Sequence, residues 1–564
     1  MPDKQAAKRT WFSVDGIAAP FRHSAFRRIW IAGLLSNFGL NINGVGAAWE
    51  MTQMTSSPGM VALVQTALML PLMLLSLAAG AIADMYDRRL VSICALLLGL
   101  SGGVILTLLV YFGRLTPNSL LLFCFIIGSG MALFVPSWQA SVSEQVPAET
   151  LPSAVALSGI NYNIARIFGP AVGGVIVAIA GTVASFLANV LLYLPLLVVL
   201  LLWRRIQEPS RLPPERLQRA MVSGARYIIH SPSIRTVVAR TLIMALMGGA
   251  IHALMPLIAR DTLSGTAQTY GILLGCFGIG GVLGALNVST IRKYLDSETS
   301  TRLCALVLGI TIAICALSHS SLLTAAALVL AGAAWMVALT LFNIGIQLAA
   351  PRWVAGRALA AYQAATAGGV AGGSWMWGSI AGHVGVSNTL LIAGGAMFIS
   401  PLVAFWLRMP SIASTNTDAA IPLAEPEVNL AITPRSGPII VEVDFRVPQD
   451  KARTFYDAML KVEGIRKRNG AYGWSISRDL ADPEIWTERF HCPTWLDYLR
   501  LRDRPTQAER ELSQIAMDFH TGSELPKARR MLERPFGSVR WKDETPDRAE
   551  IKQLPLVPPP SSTL

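Results

Sequence analysis

Residues 58–112 read PGMVALVQTALMLPLMLLSLAAGAIADMYDRRLVSICALLLGLSGGVILTLLVYF, two long apolar runs joined by a short charged loop. Each run exceeds the roughly 18 apolar residues needed to cross a bilayer core of about 30 Å. The segment is therefore a membrane hairpin, and the pattern continues on both sides of it. Further runs lie near 27–50, 118–142, 153–179, 182–203, 234–259, 268–291, 302–318, 321–349, 354–382 and 386–407. The sequence thus predicts an all-α polytopic membrane protein with 12 transmembrane helices in two six-helix halves, 25–203 and 234–408. Composition agrees: 52% of the 564 residues are hydrophobic and 15% charged, outside the range of an ordinary soluble chain.

Charges on the loops orient the spans. With the N-terminus inside, the inner segments hold Lys4, Lys8, Arg9, Arg22, Arg27, Arg28, Arg88 and Arg89. A central loop, 204–233, adds Arg204, Arg205, Arg211, Arg216, Arg219 and Arg226, and later inner loops add Arg292, Lys293, Arg352 and Arg357. The opposite loops carry Arg114 and Arg260 and little else. Positive charge is retained on the cytoplasmic side, so both termini are expected in the cytoplasm of a bacterium, with the spans in its inner membrane. The net charge of +12 reflects this bias and attraction to anionic headgroups, so the lipid bilayer is the expected partner and nucleic acid is not. The first 24 residues read as a cytoplasmic segment without the layout of a signal peptide. Five cysteines fall inside spans, Cys492 falls in the tail, and none forms a C-x-x-C pair. Neither a disulfide framework nor a metal or other cofactor is expected.

The halves repeat at an offset of about 204 residues. Gly80-Ala81 matches Gly284-Ala285, Arg88-Arg89 matches Arg292-Lys293, Pro147 matches Pro351, and Gly169 and Gly174 match Gly373 and Gly378. Duplicated six-span halves with a substrate site between them are one known transporter architecture.

Three motifs carry a family resemblance over residues 20–408. Gly80-x-x-x-Asp84-x-x-Asp87-Arg88-Arg89 resembles the signature loop of the major facilitator superfamily, with Met85 and Asp87 departing from the usual pattern. Gly169-Pro170-x-x-Gly173-Gly174 resembles the span-five motif of antiporters in that superfamily. Pro351-Arg352-Trp353-x-x-Gly356-Arg357-Ala358-x-Ala360-x-Tyr362-Gln363 is similar to the branch holding the enterobactin exporter and the transmembrane secretion effectors. The resemblance implies a secondary transporter. Span four, around Gly128-Ser129-Gly130, lacks the arginine that many proton-coupled drug exporters carry, so the coupling ion stays open.

Each motif also has a reading from its chemistry. A carboxylate at Asp84 can pair with Arg88 and Arg89 as a charged latch, or the arginines can serve topology alone. Gly169-Pro170 removes a backbone donor, while Gly173 and Gly174 allow close helix approach, with or without a role in coupling. Buried polar residues point to substrate. Arg166 lies about 14 residues into span five, roughly 21 Å along the helix. A charge at that depth needs a water-filled path or a partner, either substrate or a structural pair within its half. Asn163 sits a turn below it, Asn37 and Asn41 share a face of span one, Gln65 projects from span two, and Glu50 closes span one. These six are the candidate substrate or coupling residues. Arg240 is near enough to its span's end to snorkel.

After Arg408 the composition changes. Residues 409–437 read as a linker, 438–540 as a soluble cytoplasmic domain, and 541–564 as a disordered tail. Ile439, Val441, Val443, Phe445 and Val447 alternate with more polar residues as in a half-buried strand. A helix through Ala452, Phe455, Met459 and Val462, strands 471–478 and 485–492, and a helix after Thr494 follow. This order resembles an α+β ferredoxin-like fold of the dimeric α+β barrel type, which implies a homodimer through the C-terminal domain. Trp474, Trp486, His491, Trp495 and His520 either line a pocket or pack its core. The tail shows no catalytic pair of nucleophile and base.

Two functions are consistent with these features. One is a secondary transporter exporting a small amphipathic molecule, such as a siderophore or drug, by alternating access on an ion gradient. No G-x-x-x-x-G-K-[ST] phosphate loop is present to use ATP. The other is a membrane-anchored enzyme or sensor whose monooxygenase-like tail does the work.

Overall fold

The structure, a computed structural model, describes residues 18–203, 217–351, 354–409, 426–430, 432–524, 526 and 528–533. They form two compact units, a helical one and a smaller second unit built from Ala225–Ser231, Pro351 and the residues from 426 onward.

The first unit holds α1 (Ser24–Met54), α2 (Pro58–Met85), α3 (Arg88–Tyr111), α4 (Pro117–Ser141) and α5 (Leu151–Leu202). After α6 (Leu217–His230) come α7 (Pro232–Leu257), α8 (Ala267–Tyr294), α9 (Ser297–Leu317), α10 (Ser321–Ala349), α11 (Ala355–Val384) and α12 (Val386–Ile399). Nine helices among the described residues are long and apolar enough to cross a membrane, making this a polytopic helical membrane fold. Local chemistry sets their ends. Thr116 caps α4 in a capping box with Pro117 at the first position, and Asp87 caps α3 by accepting from the Arg89 N–H. Gly181, at φ 75°, interrupts α5 where the sequence separates 153–179 from 182–203, a conformation few other residues adopt.

The 204-residue repeat holds for α5 against α11, which begin at Leu151 and Ala355. It slips earlier in the halves. Arg88 and Arg89 open α3, whereas Arg292 and Lys293 lie in the last turn of α8, and the N-cap of α9 is Asp296. Within 204–233, expected as a loop, residues 217–230 are the helix α6, and α7 already begins at Pro232. The expected linker and tail fall largely outside the described residues, as do 1–17.

The two halves meet along α5 with α8 and along α2 with α11. At the first crossing a Cβ on Gly174 would lie 2.9 Å from the Gly271 Cα, so the helices touch through backbone. At the second, Thr66 Oγ1 donates to the Ala371 carbonyl (3.0 Å). Near the end of α1, Arg260 donates to the Thr52 carbonyl and Trp49 stacks on Tyr270 at 6.5 Å.

The second unit is a four-stranded antiparallel sheet, β1 (Ile439–Arg446), β2 (Tyr472–Arg478), β3 (Ile485–Cys492) and β4 (Ala528–Leu532), in the order β2-β3-β1-β4. Helix α13 (Ala452–Arg468) links β1 to β2; α14 (Trp495–Asp503) and α15 (Gln507–Met517) precede β4. The sequence predicts neither β4 nor the division into α14 and α15, which the Thr506–Glu509 capping box produces. Val441, Val443, Phe445 and Phe490 face the helices and close the core with Phe455, Met459 and Tyr498. The opposite face is polar: Arg529 pairs with Glu442 (3.3 Å) and Asp444 (3.1 Å), and Thr487 donates to Asp444 (2.7 Å).

Candidate functional site

Arg166 stands midway between the start of α5 at Leu151 and its break at Gly181. No acidic residue forms an ion pair with it among the described residues; Nη1 lies 3.8 Å from Sδ of Met336 on α10, in the other half. The backbone lets α8 come close here, for a Cβ on Gly278 would be 3.2 Å from the Arg166 carbonyl. On α7, His252 meets the buried rings of Phe277 (5.2 Å) and Trp335 (5.3 Å) edge-on. The site therefore joins one cation from the N-terminal half to a thioether from the C-terminal half.

The remaining predicted residues do not gather there. Asn163 turns back to the Gly159 carbonyl (2.9 Å). Asn37 donates to Asn161 Oδ1 (3.0 Å), and Asn161 donates to the Trp30 carbonyl (2.6 Å), a chain that ties α1 to α5. Asn41 donates to the Asn37 carbonyl, and its Cβ sits where a Cβ on Gly169 would be, 2.7 Å away. A Cβ on Gly173 would be 3.0 Å from the Ile42 Cα, so these glycines seat α1 on α5. Glu50 accepts from Thr182 Oγ1 (2.6 Å), and Gln65 is half-buried with no hydrogen bond to a described residue.

The signature loop works within its own half. Arg88 donates to the Ala140 carbonyl (2.9 Å) and pairs with Glu144 (2.8 Å), while Arg89 donates to the carbonyls of Leu200 (2.7 Å) and Leu201 (2.6 Å). Gly80 has open space around its Cα. The Asp84 side chain lies outside what is described. Arg240 does not snorkel. It is 8% exposed and pairs with Glu298 (2.6 Å), which also accepts from the Met409 N–H (2.8 Å).

Sequence reasoning misses Glu144, Asn161, Met336 and the cluster around His252. A histidine within a span is a signal in its own right; the others depend on packing. The tail aromatics divide between the faces of the sheet. Trp495 is core, Trp474 donates to Glu488 (3.0 Å), and Trp486 packs on Phe455 (5.8 Å). His491 lies on the other face beside Tyr472, and His520 Nδ1 accepts from the Arg446 N–H (2.8 Å). Among the described residues no group of three or more His, Cys, Asp or Glu could hold a metal.

The family profile described as "Transmembrane secretion effector" matches residues 16–536, covering both units. The chain belongs to the transmembrane secretion effector family. This secretion effector is 25% identical to the multidrug efflux pump Tap of Mycolicibacterium fortuitum, over 67% of its own length and 94% of the pump's. It is 25% identical to the staphyloferrin A transporter of Staphylococcus aureus, over 48% of its length and 68% of the relative's. With the enterobactin exporter EntS of Salmonella typhimurium it shares 27% identity, over 47% of its length and 63% of the exporter's. Among solved structures it resembles the nucleoside transporter NupG, with a TM-score of 0.56 at 10% identity over 68% of this chain and all of NupG. It is also similar to a bacterial Spinster homologue, with a TM-score of 0.55 at 12% identity over 69% of this chain and 97% of that one. The secretion effector is thus a multi-pass membrane transporter of the major facilitator type.

Proposed function

We propose that the secretion effector exports a small amphipathic compound, siderophore-like or drug-like, from the cytoplasm across the inner membrane of a bacterium. The observation that carries this is a permanently charged residue, Arg166, placed at mid-depth where the two halves meet and touching the opposite half. Such a residue is costly in hydrocarbon unless it serves a pathway. The relatives, a staphyloferrin A transporter, an enterobactin exporter and a multidrug efflux pump, support that class, and the last two support the direction.

The architecture supports alternating access. Dividing α5 at Gly181 and counting α1 and α11, whose many small and polar residues lower their hydropathy, turns nine apolar helices into twelve spans. With both termini inside, as the loop charges favour, the contacts from Thr52 to Arg260, Trp49 to Tyr270 and Gly174 to Gly271 all lie towards the outer face. The halves are then closed outside and an ion gradient drives their exchange. Sheet order β2-β3-β1-β4 with helices on one face supports a ferredoxin-like tail, and a second copy of the tail is the proposed cover for the polar face. Light scattering on the detergent-solubilised full chain should give a dimer, and a monomer at high micromolar concentration would remove that part.

Export is tested in a bacterium stripped of its own enterobactin exporter and multidrug pumps. Expression of the chain should raise enterobactin in the medium or lower retained ethidium, an ionophore should abolish the effect, and Arg166→Gln should reduce enterobactin export at least tenfold. Unchanged distribution of both compounds would contradict the exporter reading.

A further inference from the structure

We propose that the mid-depth site takes an aromatic anion, gripped by Arg166 from one half and met by Met336 from the other; this deepens, and rests on, the exporter reading. A guanidinium stays charged at any pH a cell meets, so its charge must be balanced. The acceptor it meets is the Met336 sulfur at 3.8 Å, and a thioether is a weak acceptor that carries no charge. Among the described residues no fixed carboxylate is placed to do better. The acidic side chains described in the helical unit sit at helix ends or in loops: Glu50 in the last turns of α1, Asp87 before α3, Glu144 and Glu149 between α4 and α5, Asp261 after α7, Asp296 before α9 and Glu298 in its first turn. A ligand anion would supply that balancing charge.

The rest of the site selects the body of that ligand. The polarizable sulfur of Met336 beside the guanidinium favours a flat ring, through sulfur contacts. The planar fork of arginine matches two adjacent oxygens, the pattern of an aryl carboxylate or of paired phenolate oxygens. Because the anion side is met by one half and the ring side by the other, such a ligand bridges the halves.

Salicylate and salicylamide share size and ring and differ in charge at pH 6.5, so they are the probes. Titration calorimetry on the full-length transporter in nanodiscs should show salicylate binding at least ten times more tightly than salicylamide. Arg166→Gln should abolish that preference. Arg166→Lys, which keeps charge but loses the fork, should retain the preference at reduced affinity, and it decides the matter if Arg166→Gln fails to insert. Equal binding of the two probes by the unaltered protein, no binding of salicylate, or a preference that survives Arg166→Gln would overturn the proposal. Ethidium export by the same chain separates the failures: export without salicylate binding removes only the anion site, and loss of both removes the exporter reading as well.

Discussion

Single charged residues in this protein act by what they tie together. Arg89 reaches the carbonyls that end α5, where a cation complements the helix dipole, and Arg88 binds the end of α4 through Ala140 and Glu144. The second unit hides the strictest case. Glu488, 1% exposed, accepts from both Arg466 (3.0 Å) and Trp474 (3.0 Å), so its loss strands a half-buried guanidinium. Burial alone would lower the Arg466 pKa, but the Glu488 carboxylate outweighs it and holds the cation above its ordinary range. Glu488→Ala should destabilise the tail by about 3–5 kcal/mol, read as a shift in its urea midpoint; a change under about 1 kcal/mol would show the pair to be dispensable. Nearby, burial pushes the Cys492 thiol up to about 12 from its ordinary 9.0. The unfolded chain ionises this thiol first, so between pH 9 and 12 only the unfolded state loses the proton and tail stability falls as pH rises; below 9 the contribution is fully present. Cys492→Ala should therefore lose less stability than the unaltered chain between pH 8 and 10.5, and equal losses would assign the decline to other groups.

At the scale of elements, glycines decide how closely helices meet. Gly174 and Gly271 bring α5 and α8 to backbone contact, with a Cβ on Gly174 only 2.7 Å from the Ala267 carbonyl. Gly174→Val should force the helices apart at that end and cut transport at least tenfold while the protein still inserts. Spin labels on Ser57 and Val384 would report the wider separation, and unchanged distances with normal transport would leave the glycines as mere filling. Much of this layer is legible in the sequence. The helices of the first unit coincide with apolar runs because length and hydropathy are local, and Gly181 marks its own break. Helix α6 is not legible, because its Arg219 and Arg226 read as loop charge when no packing surface is in view. Strand β4, Ala528–Leu532 with Arg529 and Arg530, lacks an apolar alternation and exists through its pairing with β1. At the site, the depth of Arg166 can be counted from the sequence, but its approach to Met336 requires two halves to fold together. The asparagines are polar residues in spans that satisfy one another or the backbone, which the sequence cannot distinguish from ligands.

For the whole molecule, the proposed cycle holds a ligand between the halves while the ends opposite the chain termini stay closed by Gly174 against Gly271, Trp49 on Tyr270, and Arg260 on the end of α1. Arg260 also forks onto its neighbour Asp261 (2.6 and 3.1 Å), so this contact is a small charged clasp built on the π-turn Ile258–Thr262. If the halves exchange, that clasp must open once in every turnover. Cysteines placed at Thr52 and Arg260, in a chain whose six native cysteines are replaced, hold it shut when bridged by a short bifunctional thiol reagent with a cleavable disulfide. Export by that protein should stop on cross-linking and return with reductant, while each single-cysteine protein is unaffected by the same reagent. A fully cross-linked protein that exports at the unmodified rate would contradict alternating access between these halves.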